Sequence, residues 1–227
     1  MICVPVVATT NEDAVNQMER CFPLADVVEL RIDVIKQVEL KDLLVHQKDR
    51  IMVTNRKKEE GGKFAGKETE RIELLNDAVT LGAGFVDVEL RTGDDLREML
   101  SDNILHHQGR SQLILSHHIF DGTPSYSELQ DIFHECVAKG ARIVKIVTFA
   151  NAVEDTLNIL KLIGYAKKIN QKIIAHCMGK KGKISRIMAP FFGAYMSFAS
   201  LDKGLESAPG QLTVSEMKDF LRILKDE

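Results

Sequence analysis

A lysine interrupts an otherwise apolar run, Ile143-Val-Lys145-Ile-Val147. In a buried strand such a lysine is desolvated, and desolvation disfavours the ammonium form. Cations such as Arg31, Arg56 or Arg186 would push the same way. A neutral amine can attack a ketone and form a Schiff base. The competing reading is a lysine whose stem lies along the strand while its head reaches the rim. His118 follows a second such run and offers a base that titrates near neutral pH. A histidine at a strand end can equally be structural. His117 and His118 are adjacent and so point to opposite faces of a strand, which argues against a shared metal. No H-E-x-x-H or comparable ligand set occurs elsewhere.

Charges recur where strands should be apolar. Glu29, Arg31 and Asp33 share one face of their segment, opposite Val28, Leu30 and Ile32. Arg56 lies on the face of Met52 and Thr54, and Asp87, Glu89 and Arg91 share another. His176 ends a further run. Charges turned inward are costly unless they pair or bind something. An ion network that satisfies itself and an edge strand with one wet face are the bland alternatives. Met178-Gly-Lys-Lys-Gly-Lys-Ile-Ser-Arg186 reads as a basic, glycine-punctuated loop, in which Arg186 can grip a carboxylate bidentately. A phosphate ligand competes for the same loop. Ser207-Ala-Pro-Gly-Gln211 is turn-rich and placed to cover a mouth, although it also suits an ordinary connection.

Positioning these groups requires alternating elements. Strands are predicted at 2–8, 27–32, 50–54, 84–90, 112–116, 142–148, 172–177 and 194–201. Helical period marks 13–21, 38–46, 68–81, 94–106 and the stretch around Val153–Ile163. Capping boxes at Ser125-Tyr-Ser-Glu128 and Thr213-Val-Ser-Glu216 open two more helices. Strands spaced in this way call for parallel pairing with right-handed crossovers. Eight units in 227 residues point to a single α/β domain over 1–227, a (β/α)8 TIM barrel. Its active site belongs at the C-terminal ends of the strands. An open doubly wound sheet would want a glycine-rich first turn, which Ala8-Thr-Thr-Asn11 does not supply.

Thirty basic and thirty-three acidic residues give a net charge of −3, and Trp is absent. That balance argues against a nucleic-acid partner. No apolar run is long enough to span a membrane. Cys3, Cys21, Cys136 and Cys177 show no C-x-x-C spacing and read as buried free thiols, which suits a cytoplasmic protein.

In combination these segments resemble type I 3-dehydroquinate dehydratase, over nearly the whole chain. The resemblance is carried by Glu29-Leu-Arg31-Ile-Asp33, by Arg56 with Glu60-Gly-Gly62, and by Ser116-His-His118-Ile-Phe120. Lys145 follows, 27 residues after His118, then Met178-Gly179, Gly182, Ser185-Arg186 and Ser207-Ala-Pro-Gly-Gln211. It implies that Lys145 forms an imine with the ketone of 3-dehydroquinate and that His118 is the general acid/base. Glu60 would orient or tune that histidine. Glu29, Arg31 and Arg56 would contact substrate hydroxyl and carbonyl groups, and Arg186 would clamp the carboxylate. Ser207 and Gln211 would belong to a closing loop, with Met178 and Phe198 as apolar walls. No metal or organic cofactor is implied, and a homodimer is.

Two positions depart from the pattern. Ile119 stands where many members carry Asp, and His176 where members often carry Met. Neither removes a principal chemical group. A class I aldolase-type barrel, which also uses a strand lysine, and a binding barrel without turnover are the alternative functions.

Overall fold

The computed structural model describes residues 1–225, so the last two of the expected 1–227 domain lie outside it. Eight parallel strands form one sheet: β1 (Ile2–Val6), β2 (Val27–Arg31), β3 (Ile51–Thr54), β4 (Phe85–Glu89), β5 (Gln112–His118), β6 (Ile143–Phe149), β7 (Lys172–Met178) and β8 (Ser197–Phe198). Their order is β7-β6-β5-β4-β3-β2-β1-β8. The remaining gap is bridged by the Tyr195 N–H, which donates to the Ile173 carbonyl at 2.7 Å. The result is the expected (β/α)8 TIM barrel. β8 is shorter than predicted because only Ser197 and Phe198 pair, with Ile2 and Cys3 of β1.

The helices are α1 (Asn11–Cys21), α2 (Leu40–Leu43), α3 (Glu68–Leu81), α4 (Asp94–His106), α5 (Tyr126–Ala138), α6 (Asp155–Lys168), α7 (Lys183–Phe192) and α8 (Val214–Lys225). Both predicted capping boxes form. The Glu128 N–H reaches Ser125 Oγ while Glu128 accepts from the Ser125 N–H, and Thr213 and Glu216 repeat the exchange.

Two helices differ from the sequence reading. α2 shrinks to a single turn, which is enough to bury Leu40 and Leu43. α7 begins inside the stretch 178–186 expected to form a loop, and it places Arg186 in its first turn. Pro190 inside it cannot donate to the carbonyl four residues back, that of Arg186. The Ser197 hydroxyl donates to that carbonyl instead, at 2.7 Å. The lost helical bond is thereby replaced, and α7 is fastened to β8.

Side-chain alternation explains both the core and the site. Outward residues such as Val28, Leu30, Val53, Val86, Leu115, Val144 and Ile173 pack with the helices in one large core. The first inward layer is also apolar: Cys3, Val27, Met52, Phe85, Ile114, Ile143, Ile174, Met196 and Phe198 close the barrel floor. Two residues further along β2 to β7 the inward positions turn polar. There stand Glu29, Thr54, Asp87, Ser116, Lys145 and His176, all buried.

The loop after β3 depends on one glycine. A Cβ on Gly62 would lie 1.9 Å from the Arg56 carbonyl oxygen and 2.6 Å from Arg56 Cβ. Gly62→Ala is therefore expected to open this turn, displace Arg56 and Glu60 together, and cost about 2 kcal/mol. In thermal melts that is a fall of roughly 4–8 °C for a chain of this size. Gly164 in α6 meets nothing within 4 Å of an added Cβ. Gly164→Ala should stabilise by about 0.4–1 kcal/mol. Equal melting temperatures for the two variants would contradict this account.

Candidate active site

Lys145 enters the barrel from the middle of β6 and is 4% exposed. Its Nζ lies 2.7 Å from Asp87 Oδ2 and 3.2 Å from Glu29 Oε1. The Phe198 ring lies beneath it, with its centroid 4.6 Å from Nζ. Burial alone would drive the amine towards neutrality, as the sequence suggested. The structure corrects that expectation: burial and Arg56 push downward, but Asp87 and Glu29 outweigh them and hold the ammonium above its usual range. The two carboxylates are themselves fixed. Thr54 Oγ1 donates to Glu29 Oε1 at 2.9 Å. Asp87 lies 2.7 Å from Arg56 Nη2 and accepts from Ser116 Oγ at 2.6 Å. Despite burial, Arg56 and Lys145 keep the Asp87 carboxyl far below the usual carboxylate range.

His118 ends β5 across the same cavity. Its Nδ1 lies 2.9 Å from Glu60 Oε2, and its backbone N–H donates to the same oxygen at 3.2 Å. Burial, then Arg56 and Lys145, hold the imidazole well below its usual pKa, so it is neutral. Burial pushes the Glu60 carboxyl up to about 7, with Arg56 opposing and Glu89 and Asp87 assisting. When Glu60 is ionised it accepts the Nδ1 proton, and Nε2 is left as the basic nitrogen. His117 stays on the outer face, as alternation requires.

A cavity opens at the C-terminal ends of the strands. Glu29, Arg31, Arg56, Glu60, His118, Lys145, Met178, Phe198, Ser207 and Gln211 all line it. Arg31 is held in a fork on Asp33, with both contacts at 2.8 Å. The mouth is crossed by the loop after β8. The Gly179 N–H donates to the Pro209 carbonyl, and Ser207 and Gln211 bond each other.

Arg186 is the one predicted site residue that does not line this cavity. It is wholly buried behind the wall, and Nε, Nη1 and Nη2 have no hydrogen-bond partner among the described residues. Burial lowers its pKa to about 10. His176 lies on the wall beside it, buried, with Nδ1 equally unpartnered. The lysines of the basic loop do not reach this cavity. Lys180, Lys181 and Lys183 are exposed, and none of them lines the cavity.

The sequence reading placed Asp87 and Glu89 on an inward face but gave them no role. Asp87 is the shortest contact of Lys145, and Glu89 Oε1 lies 3.1 Å from Arg56 Nη1. Their spacing of two on a strand was the available signal. Phe120 also lines the cavity and stacks on His118, with ring centroids 6.3 Å apart.

Comparison with known proteins places the chain in a family. The sequence profile of the family "Type I 3-dehydroquinase" matches residues 2–227. The 3-dehydroquinate dehydratase of Methanocaldococcus jannaschii is 38% identical over 226 residues, covering 99% of both chains. That of Methanococcus maripaludis strain C5 is 37% identical over 225 residues, covering 99% of this chain and all of the other. The crystal structure of 3-dehydroquinate dehydratase from Geobacillus kaustophilus superposes with a TM-score of 0.88 at 28% identity, covering 99% of this chain and 91% of that one. Barrel, cavity and sequence converge, and the chain belongs to the type I 3-dehydroquinase family.

Proposed function

We propose that this chain removes water from 3-dehydroquinate through an imine on Lys145, with His118 moving the protons. That it is a hydro-lyase, a dehydratase of the shikimate pathway, follows from the family. The route is supported by one observation above others. A buried lysine and a neutral histidine held at Nδ1 by a carboxylate line the same cavity.

The Lys145 ammonium must first lose a proton, to solvent or to the neutral His118 imidazole that lines the same cavity. The amine then attacks the C3 ketone, and loss of water gives a protonated imine. That cation sits where the ammonium sat, so the carboxylates that held one charge also stabilise the other. The imine acidifies the C2 hydrogens. His118 Nε2 removes one to give an enamine, and the electron pair expels the C1 hydroxyl. His118 returns its proton to that oxygen, so a second water leaves. Hydrolysis of the product imine consumes one water and frees Lys145 and 3-dehydroshikimate.

Arg31 and Arg56 suit the substrate's hydroxyl groups. Arg186 suits its carboxylate, because that guanidinium is buried with no hydrogen-bond acceptor among the described residues. A cytoplasmic homodimer completes the reading, on the strength of the family likeness.

The direct test is borohydride reduction with substrate, followed by intact mass and peptide mapping. An adduct on Lys145 is expected; none, or one elsewhere, removes the imine route. In the enone absorbance assay Lys145→Ala should lose more activity than His118→Ala, whose loss is expected at about 10²–10⁴-fold.

Glu60 makes the reaction pH-dependent. kcat/KM should rise with pH through about 7, where Glu60 ionises and fixes the Nδ1–H tautomer. Glu60→Gln should flatten that limb. The same group acts on stability with a definite sign. Its pKa is raised in the folded state, so its contribution is full below the ordinary value of 4.5 and is lost as pH rises through about 7. Melts across that window should lose this slope in Glu60→Gln.

Arg186→Met removes a buried charge that has no partner among the described residues, so the free protein should melt at an equal or higher temperature. Affinity for a substrate-like carboxylate should fall about 10–100-fold, the worth of a charged hydrogen bond. A destabilised variant with unchanged affinity would refute this role.

A further inference from the structure

One charged residue joins this network from outside the barrel. Arg71 stands in the first turn of α3, is 0% exposed, and lines no part of the cavity. Its Nη1 lies 2.6 Å from Glu89 Oε2. The same nitrogen donates to the Asn55 carbonyl at 3.0 Å. Nη2 donates to Thr92 Oγ1, and Nε and Nη2 make a fork on Glu68, all three at 2.8 Å. Asn55 follows β3 and Thr92 follows β4, so one guanidinium ties together the two strand ends that carry Arg56 and Glu89.

The other oxygen of Glu89 faces the site. Glu89 Oε1 lies 3.1 Å from Arg56 Nη1 and accepts from the Lys57 N–H at 3.2 Å. Arg56 thus has two claimants, Glu89 and Asp87, the latter at 2.7 Å. Asp87 in turn is shared between Arg56 and Lys145. The charges alternate from α3 to the reacting amine: Arg71, Glu89, Arg56, Asp87, Lys145.

We infer that Arg71 is a positioning residue for this site: by engaging Glu89 it sets how Arg56 divides itself between Glu89 and Asp87, and so how firmly Asp87 holds Lys145. The inference rests on the Lys145 reading above. Without Arg71, Glu89 draws Arg56 towards itself, Asp87 turns to Lys145, and the amine is released at higher pH. Without the Glu89 charge, Arg56 passes to Asp87 and the amine is released at lower pH. The other groups that face or approach Lys145 stay in place in both cases. They are Glu29 on β2, His118 on β5, His176 on β7 and the Cys3 thiol on β1, with the Phe198 ring on β8.

The experiment is the pH dependence of borohydride trapping with substrate, in wild type, Arg71→Met, Arg71→Lys and Glu89→Gln. Circular dichroism and melting confirm which variants are folded. The trapping profile of Arg71→Met should move up by about half a pH unit, less than the roughly 1–3 units that a direct neighbour exerts. Its kcat/KM should fall about 10–100-fold, the scale of a small misplacement. Arg71→Lys should recover part of both, because an ammonium restores the charge but not the fork. Glu89→Gln should move the profile in the opposite sense. A purely structural Arg71 would lower the melting temperature and leave the trapping profile where it was. Folded variants whose profiles overlay the wild type overturn the inference. If Arg71→Met does not fold, Arg71→Lys and Glu89→Gln decide it. A wild type that gives no adduct on Lys145 overturns the imine reading and this inference together, and it does so before any variant is made.

Discussion

Six charged side chains share the inside of this barrel and its wall, and they can do so only by neutralising one another in sequence. Removing an ion from water costs several kcal/mol even after relaxation. Leaving one of these six unpaired would consume a large share of a domain's net stability of about 5–15 kcal/mol. Glu29, Lys145, Asp87, Arg56, Glu89 and Arg71 therefore alternate in sign, each within about hydrogen-bond distance of the next. The strands supply the spacing. Inward positions recur every second residue and neighbouring strands are staggered, so opposite charges from β2, β4 and β6 meet at one level.

That constraint decides the chemistry of the lysine. A desolvated amine with no partner would be neutral and ready to attack, but it would also be the unpaired polar group that the interior penalises. Here the amine is protonated and paired. On the imine route proposed above, the advantage appears after the first bond forms, since a protonated imine carries its charge at almost the same point as the ammonium. On that route the pairing favours the charged intermediate over the free nucleophile. The opposite choice is made at His118. Two nearby cations and burial keep its ring neutral, so an ammonium and a free base coexist in one small cavity.

Much of this was legible in the sequence, and the physical reason is periodicity. A charge every second residue in an otherwise apolar strand has one meaning for a barrel, which is why Glu29, Asp87, Lys145 and His176 could be placed inward. The eight strands followed from the same alternation. The failures follow from signals without periodicity. α7 was hidden because the stretch 178–186 reads as a basic, glycine-punctuated loop, while the Ser197 hydroxyl that replaces the helical bond lost at Pro190 lies elsewhere in the chain. Arg71 was invisible because a helical arginine is ordinarily solvated, and only packing shows that this one points into the sheet. The charge state of Lys145 was misjudged because burial is readable from neighbours in sequence, whereas ion pairs come from other strands.

Arg186 breaks the rule that the rest of the interior obeys. It is buried as deeply as Arg71, yet its guanidinium has no acceptor among the described residues. The fold nonetheless invests in holding it there. Ser185 beside it accepts from the Cys177 N–H and donates to the Gly182 carbonyl, so the end of β7 and the start of α7 are locked together. The covering loop is fitted to the same place. Gly210 approaches so closely that a Cβ would lie 2.3 Å from the Gly179 carbonyl oxygen, and its φ of +83° suits glycine. A rigid mount and a close-fitting cover around a lone cation are wasteful for stability alone. They suit the carboxylate role proposed above for Arg186, in which one anionic group is admitted and water excluded.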